Sequence, residues 1–185
     1  MPVIEIISSS VRTGRNSHRV ARYLKQYITE NAIGHAAIID LNEYCFPLFE
    51  ERLKYMDKPG EKVLSFASRI RNADGVIIVT PEYNGGYPAS LKNAIDLLYD
   101  EWQNKPIALS TVSTGAYAGT QVSMQLQFVL WKIGAIVVPA TFAVAKVTES
   151  YDEDGNALEK DKADKFAARF LGKLTWQINA NNKMQ

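Results

Sequence analysis

Pro81-Glu82-Tyr83-Asn84-Gly85-Gly86-Tyr87-Pro88 is the stretch whose reading decides the fold. The apolar run Val76-Ile77-Ile78-Val79 leads into it, and Leu91, Ala94, Ile95, Leu98 and Trp102 recur at helical spacing after it. The run is short, β-branched and apolar on both faces, as in a strand covered from both sides. Asn84-Gly85 would mark a hairpin turn between alternating strands. No alternating strand follows, so the segment reads as a strand, a loop and a helix from Ala89 to Trp102. Ligands of open α/β sheets bind outside the carboxyl ends of the strands, where this loop would sit. Its two glycines let backbone approach a ligand closely, and its two tyrosines offer flat faces.

Upstream, the apolar run Val3 to Ile7 is followed by Ser8-Ser9-Ser10-Val11-Arg12-Thr13-Gly14-Arg15-Asn16-Ser17. Val20, Tyr23, Leu24, Tyr27 and Ile28 then fall on one helical face. Strand, polar loop and helix come in order, so hydroxyls and arginine forks meet a helix N-terminus, a combination suited to phosphate. Ala36 to Leu41 reads as a second strand, 42–59 as a long mixed loop, and Glu61 to Arg71 as a helix burying Val63, Phe66, Ala67 and Ile70. Downstream, the strand Lys105 to Thr111 ends in Val112-Ser113-Thr114-Gly115-Ala116-Tyr117-Ala118-Gly119-Thr120. A helix from Gln121 to Ile133, closed by Gly134, leads to a fifth strand with its core at Ile136 to Pro139. A polar loop spans 146–157, and a last helix runs from Leu158 to about Ala180 with Phe166, Phe170, Leu174 and Ile178 stepping by four.

Five strands, each followed by a helix, predict one domain over residues 1–185: a three-layer α/β fold with a parallel sheet and helices on both faces. The loops after the first, third and fourth strands look ligand-shaped. In the strand order 2-1-3-4-5 these strands are neighbours, and the switch point lies between the first and third. The 185-residue length suits a single sizeable core. A net charge of +1 gives no electrostatic case for nucleic acid. One cysteine, Cys45, rules out an internal disulfide framework and fits a reducing compartment. Met1-Pro2-Val3-Ile4-Glu5 runs straight into a strand, so no signal peptide is expected, no apolar run spans a bilayer, and a cytoplasmic location is the default.

Taken together, the three loops resemble the NADPH-dependent FMN reductase family, flavodoxin-like oxidoreductases that include quinone, azo-dye and chromate reducers. The likeness covers about residues 3–145. The family's phosphate loop reads roughly Gly-Ser-x-Arg-x-x-Ser. Ser9-Ser10-Val11-Arg12 matches its start with serine for glycine, and Arg15 and Asn16 precede the later serine, Ser17. The second motif is more specific. Residues 81–96 match Pro-x-Tyr-Asn-x-x-x-Pro-x-x-Leu-Lys-Asn-x-x-Asp. The resemblance implies phosphate contacts by Ser10 and Arg12, with Arg15, Asn16 and Ser17 as further candidates. It implies that Pro81, Glu82, Tyr83, Asn84 and Gly85 line the flavin ring and ribityl chain. It also implies that Ser113, Thr114, Gly115 and Ala116 border the pyrimidine edge. Lys92, Asn93 and Asp96 are read as serving the helix.

The implied cofactor is FMN and the implied reductant NADPH or NADH. The expected activity is ping-pong: hydride passes from nicotinamide to flavin N5 and on to a small-molecule acceptor such as a flavin or quinone, with no obligatory acid–base side chain. Two alternatives stay open, a flavodoxin-type electron carrier and a non-redox phosphate-ligand module. Broad apolar surfaces on the 89–102 and 121–133 helices predict a homodimer or dimer of dimers, with Tyr87 or Trp102 near the partner's flavin. His18 and His35 read as isolated surface residues, too few for a metal site. Cys45 reads as a packed or half-exposed thiol, since Arg52 is one residue too far for a phosphatase loop. Asp152-Glu153-Asp154-Gly155-Asn156 reads as a polar turn, lacking the glycine and terminal glutamate of a calcium loop.

Overall fold

The computed structural model of the protein describes residues 1–184. Strands β1 (Val3–Ser8), β2 (His35–Asp40), β3 (Gly75–Pro81), β4 (Pro106–Val112) and β5 (Ile136–Val144) form a parallel sheet in the order β2-β1-β3-β4-β5, as expected. The helices are α1 (Ser17–Glu30), α2 (Leu41–Tyr44), α3 (Glu61–Asn72), α4 (Ala89–Leu97), α5 (Thr120–Lys132), α6 (Val147–Ser150) and α7 (Lys160–Asn182).

Strand alternation divides the core into two layers. Ile4, Ile6, Ile77, Val79 and Ala108 pack with α1 and α7. Ile7, Val76, Ile78, Ile107 and Leu109 pack with α3, α4 and α5. Each fully buried aliphatic side chain contributes about 1.5–3 kcal/mol. Glu5 interrupts the second face. Its buried carboxylate is paired with Arg69 of α3, Nε donating to Oε1 at 2.9 Å.

Two element boundaries differ most from the periodicity, and the 146–157 segment read as a polar loop holds the short α6. The helix expected to reach Trp102 ends at Leu97, where Leu98 turns extended (φ −115°, ψ 159°). Trp102 sits in a following 3-10 turn, and its indole N–H donates to Ile95 O at 3.0 Å, satisfying a helix-end carbonyl. It is fully buried, with its ring 6.2 Å from that of Phe66. This corrects the expectation of Trp102 beside a partner's flavin: it belongs to this chain's own core. Leu91, Ala94, Ile95 and Leu97 are likewise buried, so the apolar surface of α4 is covered internally.

The fifth strand continues past Pro139 to Val144. Ile107 faces Val137 but Leu109 faces Thr141, so β5 carries extra residues around Pro139. Proline cannot donate to a ladder, and an edge strand tolerates it at such an irregularity. The 42–59 segment holds α2 and a 3-10 turn, Leu53–Tyr55, and Asn93 clamps it to α4: Phe49 N donates to Asn93 Oδ1 at 2.6 Å, and Asn93 Nδ2 to Pro47 O at 2.8 Å. Asp152 Oδ1 accepts from Asp154 N and Asn156 N, forming the polar turn expected there. No helix of the described residues is long and apolar enough to cross a membrane.

Candidate functional site

β1 runs out into Ser8, Ser9 and Ser10, all fully buried, and each is used differently. Ser8 Oγ lies 2.9 Å from His18 Nδ1. Ser9 N donates to Val79 O at 3.1 Å, and Ser9 O accepts from Ser90 Oγ at 2.7 Å. Ser10 Oγ and Tyr83 OH share a 2.7 Å hydrogen bond. The loop after β1 is therefore seated against the loop after β3.

α1 begins without a side-chain cap: Asn16 (φ −83°, ψ −22°) makes no capping bond. An uncapped N-terminus presents N–H groups and the positive end of the helix dipole. Arg12 is exposed and forms no ion pair among the described residues. Arg15 differs. Its guanidinium forks onto both carboxylate oxygens of Asp40, and Nη1 also donates to Ser10 O at 2.9 Å. Asp40, buried at the end of β2, accepts from Asn42 N at 3.0 Å as well. His18 Nδ1 lies 3.7 Å from its Oδ2. Burial holds His18 below its ordinary pKa, with the pull of Asp40 offsetting part of the effect. His18 is thus partly buried in a polar network, not the surface residue its isolation suggested, whereas His35 is exposed. Asp40 escaped the sequence reading, although a charged residue closing an apolar strand was a usable signal.

In the second loop Asn84 (φ 52°) and Gly85 (φ 80°) both adopt left-handed backbone. Tyr83 N donates to Gly86 O at 2.8 Å and Gly86 N to Tyr83 O at 3.0 Å. The Asn-Gly hairpin signal is therefore expressed, as one closed turn inside the strand–loop–helix unit. Glu82 Oε2 accepts from Gln121 N and Val122 N, both at 3.1 Å, and so caps α5. Gln125 Nε2 donates to Gly85 O at 2.8 Å, which seats the turn on the same helix. Pro81, Tyr83 and Gly85 are partly buried, while Asn84 is exposed.

The third loop returns to β5. Ser113 N donates to Val144 O at 2.9 Å and Lys146 N to Gly115 O at 3.1 Å. Thr111 Oγ1 donates to Ala118 O at 2.5 Å. Thr114, Gly115, Ala116 and Tyr117 stand exposed. Among the described residues, the N–H groups of Thr114, Gly115 and Ala116 find no acceptor. Ser10–Tyr83 joins the first and second loops, and Glu82 with α5 joins the second and third. Cys45 is exposed rather than packed or half-exposed, with Sγ donating to Asn42 O at 2.8 Å.

The family model for NADPH-dependent FMN reductases matches residues 2–149. The chain belongs to this family. An NAD(P)H-dependent FMN reductase of Saccharomyces cerevisiae is 39% identical over 140 residues, covering 69% of this chain and 72% of the relative. A quinone reductase of Escherichia coli K12 is 33% identical over 135 residues, covering 70% and 69%. The solved flavoenzyme NAD(P)H:(acceptor) oxidoreductase FerB of Paracoccus denitrificans aligns with a TM-score of 0.81 at 25% identity, covering 98% of this chain and 99% of that one. The reductase is thus an oxidoreductase with FMN as cofactor and NAD(P)H as reductant. Membership sets aside the electron-carrier and non-redox alternatives.

The reductase's own residues fit the phosphate end of FMN. Ser9 Oγ and Ser17 Oγ are buried hydroxyls with no partner among the described residues, flanking the loop that precedes the uncapped α1 terminus. Buried hydroxyls are normally satisfied, so an orphan on each side of a basic loop suits an incoming anion.

Proposed function

We propose that the protein oxidises NAD(P)H and reduces a small acceptor, a flavin, quinone or similar compound, in a ping-pong cycle. Nicotinamide and acceptor occupy the same open face in turn. The observation that carries this reading is the Ser10–Tyr83 hydrogen bond, which brings the phosphate loop and the tyrosine–asparagine–glycine loop to one rim of the sheet.

Bound FMN supplies hydride acceptance and onward electron delivery, so no side chain is assigned as acid or base. Arg12, Asn16, Ser17 and the α1 terminus hold the phosphate, joined by Ser10. Pro81, Tyr83, Asn84 and Gly85 flank the ring and ribityl chain. Glu82 contributes through its backbone, because its carboxylate is committed to α5. Ser113 and the free N–H groups of Thr114, Gly115 and Ala116 face the ring's polar edge, where donors stabilise negative charge on the reduced cofactor. A second copy of the chain packs on α5, and a reducing cytoplasmic setting suits the single exposed thiol.

The test is an absorption spectrum of the purified protein with FMN added, followed by steady-state oxidation of NADPH and NADH with several acceptors. FMN-dependent rates with parallel reciprocal plots are expected. Nicotinamide oxidation that ignores FMN, with no bound flavin, would overturn the reading.

A further inference from the structure

We propose that Asp40 is a positioning residue for FMN, acting through Arg15 to hold the loop after β1 in its binding shape. The proposal rests on the cofactor reading above. Asp40 is 5% exposed. A carboxylate withdrawn from water needs an opposite charge and hydrogen bonds to offset its desolvation. Arg15 provides both, with Nη2 donating to Oδ2 at 2.5 Å and Nη1 to Oδ1. Asn42 N adds a bond of 3.0 Å.

The same guanidinium reaches onward. Nη1 of Arg15 donates to Ser10 O at 2.9 Å. The Ser10 hydroxyl meets Tyr83 OH at 2.7 Å and accepts from Arg12 N at 3.3 Å. One partly buried ion pair therefore fixes a residue that branches two ways, to a tyrosine of the ring loop and to the backbone of Arg12. A bidentate fork has a single preferred geometry, so it transmits placement where a point charge would not.

This gives Arg15 a role different from direct phosphate binding, and the sign of one substitution separates the two. If Arg15 gripped the phosphate and Asp40 merely neutralised it, removing the Asp40 charge would free a cation and tighten anion binding. If Asp40 positions the loop, the same change weakens binding.

The experiment titrates FMN against flavin-free protein by fluorescence quenching, in wild type, Asp40→Asn, Arg15→Gln and the double variant at one ionic strength. Urea midpoints report the folded fraction, and visible circular dichroism of the bound flavin reports its placement. Each single variant is expected to weaken FMN about tenfold beyond any loss of folded protein, with the double no weaker than the worse single. The dichroism of the bound flavin is expected to change. Unchanged or tighter binding in Asp40→Asn, additive losses, or an unaltered dichroism would each overturn the proposal. If Asp40→Asn does not fold, Arg15→Lys carries the test: it keeps the charge pair but loses the fork to Ser10 O, and undiminished FMN affinity overturns the proposal. Wild-type protein that fails to bind FMN would sink the cofactor reading itself.

Discussion

His18 shows burial and charge competing at one side chain. Burial lowers its pKa, and Asp40 recovers only part of the shift, with Arg15 and Arg22 adding to the lowering and Glu43 opposing it. The folded value lies below the unfolded one, near 6.5, so in that window the unfolded chain binds more protons. This contribution to stability is present above the mid-6 range and is lost as pH falls through it toward the folded value. Urea midpoints are expected to fall as pH is lowered from about 7 to about 5, and His18→Gln should flatten that slope. An identical slope in the variant would assign the dependence elsewhere. Arg12 is the other residue with a sharp expectation. A hydrogen bond to a charged group is worth about 1.5–3 kcal/mol, so Arg12→Ala should weaken FMN by about one to two decades. Riboflavin, which lacks the phosphate, should bind the variant almost as well as wild type. An unchanged FMN dissociation constant would remove Arg12 from the site.

At the level of elements, the contact between the loop after β3 and the start of α5 matters most. Glu82 satisfies two N–H groups of the helix and lies along its favourable dipole direction. Loss of a helix N-cap costs about 0.5–2 kcal/mol. Glu82→Ala should therefore lower stability by about 1 kcal/mol in urea denaturation. It should also weaken FMN, because the Asn84–Gly85 turn loses part of its seat. A stability loss with FMN affinity intact would confine Glu82 to a capping role. The turn's own residues are constrained: a Cβ on Gly85 would sit 2.7 Å from Gln121 Oε1, at a φ of 80° that side chains rarely adopt.

Across the whole molecule, the expected oligomer rests on α5 alone. Val122, Leu126 and Leu130 are buried against the sheet, while Met124, Phe128 and Trp131 are 74%, 64% and 67% exposed. Phe128 and Trp131 lie 6.0 Å apart, so they form one patch. A patch of this kind on the helix that seats the Asn84–Gly85 turn is where a second copy is expected. Sedimentation should show a dimer at micromolar concentration, and Trp131→Asp or Phe128→Asp should shift it to monomer. A monomeric wild type would reject the interface.

Local pattern carried a great deal here. β-branched runs and helical spacing mark strand and helix because each periodicity places apolar side chains on a coverable face, and that logic located the five strands and the three rim loops, while the strand order came from the flavodoxin-like resemblance. It failed where a residue answers to something remote. Trp102 continued the α4 periodicity, yet its indole N–H was drawn back to cap the helix end. The apolar run gave only the core of β5, up to Pro139, whereas the edge strand carries that proline and runs on to Val144. Arg15, Glu82 and His18 took partners 25, 39 and 10 residues away, choosing a buried carboxylate, a helix terminus and a buried hydroxyl. Those pairings follow from desolvation and distance in the folded chain, which no run of neighbouring letters records, and only the tertiary structure could assign them.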